Sequence, residues 1–362
     1  MPSGGGEDND RVYDDFIDKD LEQPYYGECP SYMDAKELGF DGESAKKMRT
    51  ELVRDYRPSN FDTDQQKNGG HITLTILKSL SGGPEAGPQV LLCKTPLLPR
   101  QLPLPIFVNR VVVKIYDPLF YPWVYNPMGP PWNEATLADL AFTHEAAAYD
   151  KFQEKGLLGK PHLAPGYLGA FTVQLNMFNP QVRVEQRTRY VGAIILEYVE
   201  GHRMSVLCDV DVEGRLIPKL NMEIDLSEKF RLEILQILLD GYVRQLYAGV
   251  EQCKIRPENI LISKPHGDEL PRVALLDYTN STVDEKREKP LKIYEGWLHP
   301  PHPFTRFGVR KLSHLAGWFP INWVEEPVLF DQWLRQVFGN DVNSAEYSVE
   351  LEGQVATEEP RP

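Results

Sequence analysis

The sequence predicts an α+β fold held between two acidic ends. Short apolar or alternating runs, the signature of strands, fall at 71–80, 89–93, 111–115 and 191–199. Two longer segments of helical period cover 136–156 and 227–248. Residues 1–68 and 340–362 are polar and acidic, a composition that cannot bury enough apolar surface to repay ordering, so both are expected to be mostly disordered.

Taken in order, the elements have local reasons. Ser44 to Tyr56 has the composition of a short helix within the polar leader. His71 to Leu80 sets Ile72, Leu74 and Ile76 against polar residues, and Gln89 to Cys93 follows as a second strand. The intervening Ser81-Gly82-Gly83-Pro84-Glu85-Ala86-Gly87 has hairpin composition. Val111-Val112-Val113-Lys114-Ile115 is a buried strand carrying one charge, and Tyr121 to Trp132 holds enough proline to be a loop. From Thr136 to Gly156 a helix is expected, with Thr136 as cap, Gly156 as stop and Leu137, Ala141, Ala148 and Phe152 inward. Glu145 falls on that stripe, where a carboxylate needs a partner. Ser227 to Ala248 is a second helix with Phe230, Ile234, Ile237, Leu238 and Tyr242 inward. Asn259 to Ile262 and Val273 to Asp277 are short strands about a turn at His266-Gly267-Asp268. Trp297, Trp318, Trp323 and Trp333 are expected in one core.

Composition excludes several classes. The 362 residues carry a net charge of −14, which repels nucleic acid, so no nucleic-acid partner is expected. No apolar run reaches the length of a membrane span, and Met1-Pro2-Ser3-Gly4 does not open a secretory leader, so a cytoplasmic or nuclear protein is expected. Cys29, Cys93, Cys208 and Cys253 lack zinc spacing and read as reduced thiols. His299-Pro300-Pro301-His302 reads as a loop rather than a metal pair. Gly82 and Gly87 have part of the spacing of a Walker phosphate loop, but Pro88-Gln89 stands where Lys-Ser/Thr is required, which rules that motif out.

Four polar residues at wide separation remain: Lys114 in the valine strand, Glu145 on the inward helix face, Asn259, and Asp277 at the end of Val273-Ala274-Leu275-Leu276. A strand lysine among valines must be paired, and Glu145 is the natural partner. Each residue has an ordinary alternative: a lysine with its head in water, or a turn aspartate closing a strand.

Together these residues resemble the kinase-like proteins abundant in filamentous fungi, related to protein kinases and aminoglycoside phosphotransferases. The resemblance rests on Val113-Lys114-Ile115-Tyr116-Asp117-Pro118, Glu145-Ala146-Ala147-Ala148-Tyr149, Leu196-Glu197-Tyr198-Val199-Glu200-Gly201, Pro257-Glu258-Asn259-Ile260-Leu261, Asp277, and Gly317 to Trp323. It spans about residues 70–335 and implies a two-lobed protein kinase-like fold, with a β-rich N-lobe over 70–198 and a mostly helical C-lobe over 199–339. It implies an ATP site in the cleft that includes Lys114 and Glu145, Lys114 on the phosphates and Glu145 paired with it, and Mg2+ on Asn259 and Asp277. It further implies Leu196 as gatekeeper, the backbones of Glu197 and Val199 facing adenine, and Gly82 and Gly83 over the phosphates, although a plain hairpin turn accounts equally well for the glycines.

One departure is decisive. In Lys254-Ile255-Arg256-Pro257-Glu258-Asn259 a lysine stands where the family has the aspartate that takes the substrate proton. An ammonium has no lone pair for that task. The expectation is therefore a pseudokinase that binds nucleotide and acts through a partner. A slow phosphotransferase, with Lys254 and Arg256 steadying the γ-phosphate, is the alternative, and a scaffold without nucleotide is the third. The short stretch between Asp277 and the acidic tail favours a small molecule over a protein as any substrate.

Overall fold

A computed structural model describes residues 56–59, 73–83, 86–95, 110–121, 134–177, 187–220, 222–252, 255–264, 270–339 and 346–348. The expected helix at 44–56, the turn at 266–268, most of the 121–132 loop, Cys253 and Lys254 lie outside the described residues.

Within them the chain is a mixed α/β structure. β1 (Thr75–Ser81), β2 (Gln89–Lys94), β3 (Arg110–Tyr116), β4 (Tyr167–Met177) and β5 (Arg187–Glu197) form one sheet in the order β1-β2-β3-β5-β4. Every pairing is antiparallel. Alternation along β3 divides the sheet into two faces. Val111 and Val113 join Cys93, Leu168, Ala193 and Ile195 in a small cluster on one face. Val112 and Tyr116, with Ile194 and Leu196 of β5, join the main core on the other. Lys114 lies in register between them and shares this second face.

The β1–β2 turn needs glycine. Gly82 has φ +137°, and a Cβ there would stand 2.3 Å from Oε1 of Gln89, whose side chain folds back over the turn.

The helix α1 (Glu134–Lys155) covers the core face of the sheet. It starts two residues before Thr136, so Thr136 is inside the first turn and not its cap. Gly156, with φ +67°, ends it as expected. Its buried face runs Ala138, Phe142, Glu145, Ala146, Tyr149 and Phe152, while Leu137 and Ala141 are only half-buried. Glu145, Ala148 and Phe152 face inward as expected; only in the first two turns does the stripe move by one residue, to Ala138 and Phe142, where the Phe142 ring packs on β5. Gly192 of β5 makes this possible, since a Cβ there would meet the Phe142 ring at 2.7 Å.

Beyond β5 the described residues form helices and short strands joined by turns. β6 (His202–Arg203) leads into the one-turn helix α2 (Met204–Leu207) and the hairpin β7 (Cys208–Val210) and β8 (Leu216–Pro218). The helix α3 (Glu228–Tyr247) begins at the Ser227 cap and ends at Gly249. It buries Ile234, Leu235, Leu238, Leu239 and Val243, with Phe230, Ile237 and Tyr242 at the margin. β9 (Val250–Glu251) pairs with β12 (Thr282–Val283), and β10 (Ile260–Ile262) pairs with β11 (Val273–Leu275) and with β6. The short α4 (Pro303–Arg306) and α5 (Asn322–Glu325) precede α6 (Pro327–Phe338). Trp318, Trp323 and Trp333 belong to the core as expected. Trp297 does not, and packs edge-on against Tyr294 instead.

Two short pieces of the acidic ends dock on this body. Tyr347 is buried, donates to Asp240 Oδ1 at 2.5 Å and packs on His302, while Ser348 bridges to Pro301. His302 itself accepts from the Phe304 amide and meets the Gly339 carbonyl, which makes it a capping residue and not a metal ligand. Residues 56–59 dock on α1 and β5.

Filling the Gly192 position tests the sheet–helix contact. Gly192→Ala is expected to lower stability by about 1–3 kcal/mol in urea denaturation, through displacement of the Phe142 ring. Unchanged stability would mean that α1 does not lie this close to β5.

Candidate functional site

The site is built where the sheet, α1 and the end of β11 meet. Lys114 Nζ lies 2.5 Å from Glu145 Oε1 and donates to the Leu276 carbonyl at 2.9 Å. Tyr116 donates to Glu145 Oε2 at 2.5 Å, from the same face of β3 two residues on. Glu145 is fully buried and Lys114 is 7% exposed. A buried pair is tolerated only when its remaining lone pairs are satisfied, and here both carboxylate oxygens are bonded. Burial pushes the Glu145 carboxyl above its usual range; Lys114 opposes that and nearby Asp277 adds to it.

Asp277 follows Leu276, so the lysine amine is fixed one residue from it. Its Oδ1 accepts from the Thr279 amide at 3.0 Å and the Thr279 hydroxyl at 2.6 Å, while its carbonyl accepts from Gln252 Nε2 at 2.7 Å. Asn259 stands beside it: its carbonyl accepts from the Leu276 amide at 2.9 Å, in continuation of the β10–β11 ladder. Both side chains are half-buried, whereas Arg256 is exposed. The structure thus gathers Lys114, Glu145, Asn259 and Asp277, which the sequence spreads from position 114 to position 277. Among the described residues no cluster of three or more His, Cys, Asp or Glu side chains could hold a metal by itself. A carboxylate and an amide suit a cation that takes its other ligands from phosphate and water.

The other expected contacts fare unevenly. Leu196 is buried on β5 between Val112 and Tyr167. The Glu197 amide donates to the Gly166 carbonyl at 2.7 Å and so is not available to a base. Its carboxylate forms two bonds to Arg272, at 2.6 and 2.7 Å, and accepts from the Gly166 amide. Val199 is half-buried just beyond the end of β5. The Gly83 amide is taken by Gln89 Oε1 at 2.9 Å, and Gln89 Nε2 spans to the carbonyls of Gly83 and Gly87. Gly82 and Gly83 therefore serve the hairpin's own turn, and their expected place over phosphates gains no geometric support from it.

Residues around Glu145 that the sequence reading passed over are mostly aromatic. Tyr116 could have been found from its i+2 position relative to Lys114. Tyr121 and Tyr149 are buried with hydroxyls that find no partner among the described residues, and both phenols are pushed up by burial and by the charges of Glu145 and Asp277. The Leu276 carbonyl and the Gln252 amide act through or upon backbone, which leaves no mark in residue type.

Two open grooves lie elsewhere. One of about 500 Å³ is lined by Glu228, Leu232, Glu233 and Trp333, and one of about 380 Å³ lies beside the β7–β8 hairpin. Neither includes Lys114, Glu145, Asn259 or Asp277 in its lining.

No family model matches the chain, and no curated protein matches it. Among solved structures, the kinase domain of Mycobacterium tuberculosis PknI, solved as a double mutant, is similar at 12% identity with a TM-score of 0.30. The match covers 58% of this chain and 60% of that one. Among the described residues no helix is long and apolar enough to cross a membrane.

Two substitutions test this geometry. Lys114→Met strands a buried carboxylate and is expected to remove about 3–5 kcal/mol of stability, most of it regained in the double variant Lys114→Met with Glu145→Leu. Equal losses in single and double variants would contradict the pairing. Glu197 is the second. Burial alone would raise its carboxyl, but the Arg272 bonds and the Gly166 amide outweigh that and hold it below the usual range. A depressed carboxyl contributes stability above its unfolded pKa and loses it as pH falls through the folded one. Glu197→Gln should therefore lower stability at pH 7 and flatten the acid side of the stability profile; parallel profiles would contradict the assignment.

Proposed function

We propose that the chain is a kinase-like nucleotide-binding protein of two lobes, with ATP seated between the sheet and the helical part. One observation carries the reading: the Lys114 amine is locked by Glu145 and by the carbonyl next to Asp277. An ammonium has three donors, and these contacts use two. The third suits a phosphate oxygen, while α1 and the β11 end hold the amine still. A strand lysine needed only for packing would turn its head to water.

Asp277 and Asn259 would hold Mg2+ against the phosphates, and the ion would neutralise their charge. Glu145 orients Lys114 and touches no ligand. Leu196 would bound the adenine pocket, with Val199 offering backbone to its edge. Lys254 stands in the sequence where the motif has its proton-accepting aspartate, which supports a binder that works through a small-molecule or protein partner, a pseudokinase. A lost general base lowers rate by about 10²–10⁴, which also describes a slow phosphotransferase using Arg256 and Lys254 at the γ-phosphate.

Calorimetry with Mg–ATP decides the first point. The wild-type chain is expected to bind in the micromolar to millimolar range, and Asp277→Asn, which keeps the side chain's size, to bind at least about tenfold more weakly. No heat at millimolar nucleotide would contradict the proposal. Transfer of label from γ-labelled ATP that is absent from Asp277→Asn would replace the pseudokinase by the slow enzyme.

A further inference from the structure

Residues 56–59 touch the body of the protein at two places that matter to the site. Three hydrogen bonds converge on one carboxylate of α1: Tyr56 OH to Asp139 Oδ1 at 3.1 Å, the Ser59 amide to Oδ1 at 3.0 Å, and the Ser59 hydroxyl to Oδ2 at 2.5 Å. Between them Pro58 is buried, and the Arg57 guanidinium lies 4.8 Å from the centre of the Tyr190 ring on β5. The segment thus grips both a helix and a strand, across 80 residues of sequence.

The buried ion pair joins α1 to β3, and β5 is the neighbour of β3 in the sheet. Asp139 precedes Glu145 by six residues on α1, about 9 Å along the axis. Tyr190 is on β5, which pairs directly with β3 opposite Lys114. A segment that fixes α1 against β5 also fixes the depth at which Glu145 meets Lys114. Burial and the Asp139 charge push the Tyr56 phenol well above its ordinary range, so it remains a donor at neutral pH.

We propose that residues 56–59 form a clasp that sets the position of Glu145 and thereby the ligand affinity of the Lys114–Asp277 site. The clasp rests on the nucleotide reading only for its effect on affinity; the docking itself does not. It opens when negative charge is placed at Ser59, because Asp139 is then opposed by a like charge at contact distance. Ser59 is exposed and the contact is made by a few bonds to a half-buried carboxylate, so the clasp can be released without unfolding the body. Asp139 and Ser59 act through Glu145 and are positioning residues.

The test uses the full chain as wild type, Ser59→Glu, Asp139→Asn and the double variant. Amide hydrogen exchange is read over residues 134–145 without ligand, and Mg–ATP affinity is read by calorimetry. Both single variants are expected to lose protection in that part of α1 and to bind Mg–ATP roughly tenfold more weakly, and the double variant to be no worse than either. Ser59→Thr, which keeps the hydroxyl, should behave as wild type. Unchanged exchange in Ser59→Glu overturns the clasp. Lost protection with unchanged Mg–ATP affinity overturns its link to the site. A wild-type chain that binds no nucleotide overturns the functional reading and the link together, while the exchange result still judges the docking.

Discussion

A charged amine held almost out of water organises this molecule. Lys114 cannot stay in the sheet's inner face as an ammonium without compensation. Glu145 supplies the opposite charge, Tyr116 satisfies the other oxygen of that carboxylate, and the Leu276 carbonyl completes the amine's surroundings. These contacts come from β3, α1 and the end of β11. The requirement to keep one charge partnered therefore fixes three elements relative to one another, and the half-exposed Asp277 and Asn259 take their places as a consequence.

The surroundings are arranged to keep that junction closed on the core side, with Asp277 half-buried at its margin. Gly192 lets Phe142 lie flat on β5, which draws α1 down to the depth at which Glu145 reaches the amine. Tyr149, stacked on Tyr167 and edge-on to Tyr278, walls off the space behind Glu145. The low permittivity this produces strengthens the ion pair and penalises any unpaired state of it. Thr279 bonds the Asp277 carboxylate and Gln252 its carbonyl, so the residue is held in place.

Much of this was legible in the residues. A valine run interrupted by one lysine and a helix stripe interrupted by one glutamate are two violations of apolar patterning, and each is explained by the other. The strand ends at Asn259 and Asp277 were readable from short apolar runs closed by polar residues. β4 was passed over although Phe171, Val173, Leu175 and Met177 alternate with Thr172, Gln174 and Asn176, the period of a half-buried strand, and it pairs with β5 over its length. The helix Pro327–Phe338 was passed over although proline at its first position and its apolar spacing both signal it. The Glu197 amide donates to Gly166 and the Gly83 amide to Gln89, uses of the backbone that residue type does not encode. The docked pieces at 56–59 and 346–348 lie in acidic stretches whose composition argues for disorder; single aromatic anchors, Tyr56 and Tyr347, overrule composition locally.

The central claim is that the Lys114 amine faces a phosphate group in the cleft beside Asp277. A crystal structure of the chain grown with magnesium and a non-hydrolysable ATP analogue tests it most directly. The account predicts a triphosphate with an oxygen within hydrogen-bond distance of Lys114 Nζ and a metal ion on Asp277 and Asn259. An analogue bound in another part of the molecule, with Lys114 touching only Glu145 and Leu276, would contradict it.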